Sequence, residues 1–453
     1  MGGTGVGVVI LAAGAGTRMN SDRPKVLHEL AGAPLLHHAM RSAAALGPER
    51  MVVVTGVGSP EVEKATRAFD ADVATVLQAE RLGTGHAVLQ AQALLGDHDG
   101  DVIVLYGDTP FVSPETLERM QEARARADIV VLGFDAADPG ARYGRLMTEG
   151  DRLLRIVEWK DADPATRAIR LCNSGVICAE GTFLFDLLRE VRNDNAAGEY
   201  YLTDVIGIAA RRGMTATVVR CDESETLGIN SRAELMAAEA AFQSRARARA
   251  IEDGVSLPAP ETVIFGYDTF VGRDTVVEPY VVFGPGVTVE SEARIRAFSH
   301  LEGCHVSRGA TVGPFARLRP GAELSEDVHV GNFVEIKASR IAEGAKVNHL
   351  SYIGDAEVGE RTNIGAGTIT CNYDGVFKHR TVIGRNAFIG SDTMLVAPVT
   401  VGDGAMTATG SVVTQDVPPG ALAVARARQE IKPGFATKFF EKLRALRAAK
   451  TGA

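Results

Sequence analysis

Between Val271 and Val417 an apolar residue returns every six positions, and that period leaves a chain few ways to fold. The series runs Val271, Val277, Phe283, Val289, Ile295, Leu301; then, after one five-residue step, Val306, Val312, Leu318, Leu324, Val330, Ile336. A second five-residue step leads to Ile341, Val347 and Ile353, and a third to Val358 and Ile364. After an interruption come Ile383, Ile389, Leu395, Val401, Thr407 and Val413. Twenty-two of these twenty-three positions are apolar, in a chain only 45% hydrophobic overall. Four residues after each sits a small or β-branched residue, except at His305, Arg340 and Glu357. Each exception immediately precedes a five-residue step, so the exceptions mark shortened turns. A helix needs apolar residues returning by alternate steps of three and four, a pattern that a six-residue period does not give. Six-residue units of one short strand and one corner, three to a coil, give a parallel β-helix with the apolar residue inside.

The rest of the chain reads differently. Val6–Ala12, Met51–Thr55, Val73–Leu77, Val102–Tyr106, Ile129–Phe134 and Val218–Arg220 read as strands. Pro34–Leu46 and Pro114–Ala127 read as helices between them. That alternation predicts an α/β domain with a Rossmann-like, mostly parallel sheet over residues 1–230. Residues 231–253, rich in Ala, Glu and Arg, read as one connecting helix, with Ser231 as N-cap and Glu234 as its capping-box partner. Gly254, Pro258 and Pro260 end it, and residues 254–453 form the repeat domain with a C-terminal tail.

Net charge is −9, which disfavours nucleic acid or an anionic membrane as partner. Arg245–Arg249 and Lys438–Lys450 read as solvated basic helix faces. Five irregularly spaced cysteines without a C-x-x-C pair read as reduced thiols of a cytoplasmic protein. No apolar run is long enough to span a membrane, and Met1–Gly7 lacks the basic start of a signal peptide.

Leu11-Ala12-Ala13-Gly14-Ala15-Gly16-Thr17-Arg18-Met19, with Pro24-Lys25 beyond, follows the first strand. Glycines let backbone N–H groups approach phosphate, and Arg18 and Lys25 add positive charge where pyrophosphate would leave. The string lacks the third glycine of the dinucleotide fingerprint and the ending of a P-loop. As a whole it resembles the signature of sugar-1-phosphate nucleotidyltransferases. Asp108, ending the strand Val102–Tyr106, suits Mg²⁺ bound to phosphate. The resemblance implies that Asn230 shares that metal. It also implies that Gln78, with Gly83 and Thr84 in the segment Leu82–Ala87, reads the uracil of UTP. Gly144 beside Tyr143, Glu158 and Asn173 match its sugar-phosphate pocket. Leu11, Ala12, Ala13, Gly14, Tyr106 and Gly107 complete the nucleotide-binding set that it implies. His86 is assigned no role.

Gly313-Pro314-Phe315-Ala316-Arg317-Leu318-Arg319-Pro320-Gly321, Gly331-Asn332-Phe333-Val334-Glu335-Ile336-Lys337 and the run Asn363–Gly375 sharpen the match. Together they resemble the bacterial bifunctional N-acetylglucosamine-1-phosphate uridyltransferase / glucosamine-1-phosphate N-acetyltransferase family, over nearly the whole chain. The resemblance implies a left-handed β-helix and a homotrimer with active sites between subunits. It implies acetylation of glucosamine 1-phosphate by acetyl-CoA, then joining of N-acetylglucosamine 1-phosphate to UMP from UTP. His349 is the candidate general base, since an imidazole titrates near the working pH. Arg319, Lys337, Tyr352 and Asn363 match the sugar-phosphate contacts. Ala366, Asn372, Tyr373, Ser391, Thr409 and Arg426 match the acetyl-CoA contacts, with Asn372-Tyr373 inside the interruption of the repeat. Thr409 stands where relatives usually carry Ala, and Ala425-Arg426-Ala427-Arg428 replaces the usual Ser-Arg-Val-Pro. The helical, basic segment Phe435–Ala449 reads either as a brace for a neighbouring subunit or the CoA phosphate, or as a disordered tail.

Three other readings are weaker. Zinc on His300 and His305, as in some β-helical carbonic anhydrases, lacks a third histidine one coil away. A one-activity nucleotidyltransferase whose β-helix only oligomerises leaves His349 and Lys337 unexplained. A pure scaffold leaves the phosphate loop unexplained.

Overall fold

The computed structural model describes residues 5–14, 16–138 and 140–451. Met1–Thr4 and Ala15, which entered the reading of the N-terminus and the glycine loop, lie outside them. Two compact units emerge: Met1–Glu252 with Ile264–Thr269 and Phe283–Pro285, and Asp253–Val263 with Phe270–Val282 and Gly286–Ala453.

The first unit is built on one nine-stranded sheet. Its order is Ala74–Gln78, Arg50–Gly56, Val6–Ala12, Asp101–Tyr106, Leu171–Glu180, Ile129–Asp135, Ala216–Arg220, Arg152–Val157 and Arg145–Glu149. All six expected strands are present. The three unexpected ones are Leu171–Glu180, antiparallel to both neighbours, and the antiparallel pair Arg145–Glu149 with Arg152–Val157. The central strands alternate between two cores: Val9, Leu11, Val52 and Val54 pack on one side, Val8, Ile10 and Val53 on the other. A sheet covered on both faces leaves its strand ends as the open places. Leu11 pairs with Tyr106, so the glycine loop and Gly107-Asp108 leave the sheet side by side.

Helix Arg232–Glu252 is not a free-standing connector. Leu235 and Ala238 are buried with Met19, Leu30 and Ile229, and Glu239 accepts from the Ala31 N–H at 2.8 Å. Its capping box forms as read: the Ser231 N–H donates to Glu234 Oε2 at 3.0 Å and the Glu234 N–H to Ser231 Oγ at 3.2 Å.

The second unit is a left-handed parallel β-helix of three parallel sheets. Its first face runs from Phe270–Val271 to Val399–Val401 and its second from Val276–Val277 to Leu422–Ala423. Its third face ends at Val412–Val413. The six-period residues point inward and are buried, as are the small residues four positions on, such as Ala293, Ala310 and Ser411. At each shortened turn the small inward residue comes one position early. Cys304, Ser339 and Ala356 are buried, and His305, Arg340 and Glu357 turn outward on the first face. All three shortened turns lie on the edge between the third and first faces. Thr370 continues the period from Ile364 as a buried residue, its Oγ accepting from the Gly354 N–H at 2.8 Å. The step from Thr370 to Ile383 therefore spans thirteen residues where the same edge elsewhere takes five or six. The surplus is the loop after Cys371. Inward Thr407 is likewise satisfied, by the Gly390 N–H at 3.0 Å and Thr393 Oγ at 3.1 Å.

On the edge between the second and third faces, Tyr280, Phe298, Phe315 and Phe333 all have positive φ. Their rings stack in succession with centroids 5.0, 4.9 and 5.3 Å apart. The tail forms helix Phe435–Thr451, with Phe435, Phe439 and Leu443 exposed. The five cysteines are free thiols, and burial pushes Cys304 up to about 12. No helix among the described residues is long and apolar enough to cross a membrane.

The shortened turns set a register that substitution can read. Ala356→Leu is expected to destabilise the β-helix by about 1–3 kcal/mol through overpacking. Glu357→Leu, one residue on but outward, should change it by less than about 0.5 kcal/mol. Urea unfolding of both variants measures this, and equal losses would refute the assigned register.

Candidate active sites

In the first unit, Leu11, Ala13, Gly14, Lys25, Gln78, Gly83, Thr84, Tyr106 and Asp108 line one open cavity. Ala12 lies buried at the end of its strand, and the Gly107 N–H donates to Leu11 O at 2.9 Å. Gly16, at φ +60°, lets the loop lie against Lys25: a Cβ there would stand 2.7 Å from the lysine Cβ. Lys25 Nζ makes an ion pair with Asp108 Oδ2 and donates to Asn230 Oδ1 at 2.9 Å. Two oxygens from distant parts of the chain thus converge on one cationic point. Asn230 is held from behind, its N–H donating to Glu234 Oε2 at 2.6 Å. Arg18 is exposed on the turn Thr17–Met19 and does not line this cavity.

Gln78 Nε2 donates to Gly83 O at 3.2 Å and lies 3.2 Å from His86 Nδ1, so His86 contacts a candidate base-reading residue. Two charged lining residues escaped the sequence reading: Arg81, whose Nε donates to Ala13 O at 3.1 Å, and Glu199. The segment after Glu199 clamps the Gly83–Gly85 turn. The Gly85 N–H donates to Tyr200 O at 2.8 Å and the Leu202 N–H to Thr84 Oγ at 3.0 Å.

Gly144, Glu158 and Asn173 form an adjoining group. The Asn173 N–H donates to Gly144 O at 2.9 Å, and a Cβ on Gly144 would stand 3.3 Å from Glu158 Oε1. Burial raises the Glu158 carboxyl above its ordinary range, opposed by the hydroxyl of Thr203, which donates to Oε1 at 3.2 Å. Tyr106 joins the two groups. Burial, then the carboxylates of Glu158 and Asp108, raise its phenol pKa.

On the β-helix the candidate residues occupy different places. Arg319 pairs with Glu335 at 2.9 Å and Lys337 with Asp355 at 3.6 Å. Tyr352, in register with Glu335, lies on the same third face. Lys378, from the inserted loop, was not anticipated. Its contact with the Lys337 ammonium, first through a shared hydrogen bond and then through charge, lowers its pKa. Asn372 donates to Asp355 from the same loop. Arg319, Lys337 and Lys378 therefore form one basic cluster at the edge between third and first faces.

His349 stands at the opposite side of the third face, where it meets the second. His349, Ala366, Ser391 and Thr409 each come two residues after an inward residue, and so stack in successive coils. Backbone bonds confirm the column: Gly367 N–H to His349 O at 3.2 Å, Asp392 N–H to Ala366 O at 2.7 Å, Gly410 N–H to Ser391 O at 2.8 Å. Arg426 adjoins Gly410 at its end. His349 Nδ1 lies 2.7 Å from Asn332 Oδ1, one coil earlier in the column. Tyr373, 60% exposed, and Asn372 lie on the other edge, and Asn363 faces outward from the second face. One chain does not bring the predicted acetyl-CoA contacts together. His300 and His305 face outward from different faces, so their sequence spacing makes no ligand pair.

Residues 8–198 match the family described as MobA-like NTP transferase domain, and residues 380–415 match bacterial transferase hexapeptide (six repeats). The chain is 68% identical over 448 residues to bifunctional protein GlmU of Cereibacter sphaeroides, covering 99% of this chain and 98% of that protein. It is 67% identical to the Roseobacter denitrificans protein of that name, over 97% of this chain and 98% of the relative. To the Jannaschia protein it is 63% identical, over 98% of each.

The raised carboxyl of Glu158 has a stability consequence. The folded unit holds this proton more tightly than the unfolded chain, so ionising it costs stability as pH rises through the raised value. Glu158→Gln should therefore stabilise the first unit at about pH 8 and much less at about pH 3, where both states are protonated. Urea unfolding followed by the single tryptophan, Trp159, measures it. A gain independent of pH would contradict the assignment.

Proposed function

The chain belongs to the bifunctional GlmU family, and on that premise we propose how its residues divide the two reactions. It is a bifunctional transferase. Its β-helix acetylates glucosamine 1-phosphate with acetyl-CoA, and its first unit transfers uridylyl from UTP to the product, releasing pyrophosphate.

In acetyl transfer the sugar amine attacks the thioester carbonyl. The new C–N bond forms, the C–S bond breaks, and the amine proton must leave. With Asn332 Oδ1 accepting from Nδ1–H, neutral His349 presents its Nε2 lone pair to take that proton. It can return the proton to the departing CoA thiolate. Arg319, Lys337 and Lys378 bind the sugar phosphate, and Tyr352 and Asn363 orient the ring. Acetyl-CoA runs along the column Ala366, Ser391, Thr409 to Arg426, with Asn372-Tyr373 against it. That column and that loop stand on two different edges of one prism. A neighbouring copy supplies the missing edge, and a homotrimer closes this head-to-tail contact.

In uridylyl transfer a phosphate oxygen of N-acetylglucosamine 1-phosphate attacks the α-phosphorus of UTP, and the bond to the β-phosphate oxygen breaks. Gly14 and the loop N–H groups, Lys25 and Arg18 stabilise the phosphates. Gln78, Gly83 and Thr84 read uracil; Gly144, Glu158 and Asn173 hold the acceptor sugar. Asp108 and Asn230 fit Mg²⁺, which takes one or two protein oxygens and leaves the rest to phosphate and water. Both oxygens already contact a single cationic group, the Lys25 ammonium. When bound, Mg²⁺ supplies charge to the triphosphate. UTP and acetyl-CoA as co-substrates, together with free thiols, support a cytoplasmic enzyme.

The carrying observation is two separate charge constellations on two units of different construction. Lys25→Ala is expected to remove pyrophosphate release and spare CoA release, and His349→Ala the reverse, each by about 10²–10⁴-fold. Unimpaired acetylation by His349→Ala would exclude it as the base. Co-assembly offers a second measurement. Mixed oligomers of His349→Ala and Asn372→Ala chains should regain about a quarter of the acetyltransferase sites, because some interfaces join two intact edges. No regained activity in mixed oligomers would place His349 and Asn372 in the site of one chain.

A further inference from the structure

Arg145 begins the strand Arg145–Glu149 and is fully buried. A buried guanidinium is costly unless hydrogen-bonded, and an apolar side chain would fill the same space without that cost. Its bonds explain its presence. Nη1 donates to Tyr143 O at 2.9 Å and to Cys172 Sγ at 3.0 Å. Nη2 donates to Ala141 O at 2.8 Å, and Nε to Arg167 O at 3.3 Å. The guanidinium lies 4.7 Å from the centroid of the Trp159 ring, which also carries Arg167 at 5.0 Å.

Three of these partners share one property. Tyr143 precedes Gly144, Cys172 precedes Asn173, and Trp159 follows Glu158. Three segments, distant in sequence, each carry one member of the acceptor-sugar group, and a single planar fork with five donors ties them together. Lysine, a point charge with three donors, has no such geometry. Burial keeps the Cys172 thiol protonated by raising its pKa, so the guanidinium meets a neutral acceptor there. None of these bonds reaches the residues that line the nucleotide cavity.

We propose that Arg145 is the positioning residue of the acceptor-sugar pocket, holding Gly144, Glu158 and Asn173 in mutual register without touching substrate. The inference rests on the assignment of that pocket made above.

The test is steady-state kinetics of uridylyl transfer by the full-length protein. Arg145→Lys should raise KM for N-acetylglucosamine 1-phosphate by about tenfold or more, the scale of a misplaced contact, and leave KM for UTP nearly unchanged. Acetyl transfer should be unaffected. Trp159→Leu removes only the ring face and should give a smaller rise with the same selectivity. Trp159 emission reports whether the lysine variant is folded. If that variant unfolds, the kinetics of Trp159→Leu decide. Equal rises in both KM values, or no rise in either, overturn the proposal. Asn173→Ala separates the two levels. If it too leaves the sugar-phosphate KM unchanged, the pocket assignment fails. If it raises that KM while Arg145→Lys does not, only the positioning role fails.

Discussion

Everything in the second unit depends on the narrowness of its core. Strands of two to four residues cannot stand alone, so stability comes from stacking one coil on the next. Each side of a coil admits one apolar residue and one small one. Cys304, Ser339 and Ala356 show how strict this is: where a turn loses a residue, the small residue moves with it and the core is kept. With the interior so constrained, chemistry is left to the outward positions and the edges. One edge carries the shortened turns and the inserted loop with Asn372, Tyr373 and Lys378. Another carries the column from Asn332 through His349 to Thr409. The solenoid therefore holds two rails a fixed distance apart, set by the width of the third face.

The first unit reaches precision by a different route. Its site gathers residues from segments that the sheet places together at its strand ends. Lys25, Asp108 and Asn230 meet although Lys25 and Asn230 stand 205 positions apart in sequence. Helix Arg232–Glu252 contributes through its cap, since Glu234 accepts from the N–H groups of both Ser231 and Asn230. The same carboxylate that starts the helix orients a metal-ligand candidate. Around the acceptor pocket the protein is polar, with Arg145 buried and Glu158 half-buried. Such groups demand partners: Glu158 finds the Thr203 hydroxyl, and Arg145 the backbone carbonyls of Ala141, Tyr143 and Arg167.

The repeat was legible because its period states its own geometry, and the glycine loop because its string is specific. The misses have physical causes. Leu171–Glu180 lacks a clean alternation: Asn173-Ser174-Gly175 bulges its pairing with Ile129–Asp135, which hid the strand. Arg145–Glu149 and Arg152–Val157 are short strands at one end of the sheet whose charged residues, Arg145 among them, break the apolar alternation that marks a strand. Thr370 sits inward but is polar, and its burial and hydrogen bonds reveal it as core. Lys378, Arg81 and Glu199 come from loops whose path no local pattern dictates. Arg145 stood beside a recognised glycine, yet nothing in the sequence says that an arginine is buried.

The chain's departures at Thr409 and around Arg426 can be weighed by the same logic. The path of the column is set by the inward residues and by backbone bonds from coil to coil. The Gly410 N–H reaches Ser391 O, and the Val412 N–H reaches Ala425 O at 2.9 Å. The Ala425 N–H is further held by Ser411 Oγ at 3.2 Å. None of these bonds uses the side chains of Thr409, Ala425 or Ala427. Substitution there changes the lining of the proposed CoA edge and leaves its course intact. A solenoid can thus vary the chemistry of its rail one coil at a time, while the sheet unit, whose pocket is tied through Arg145, has no comparable freedom.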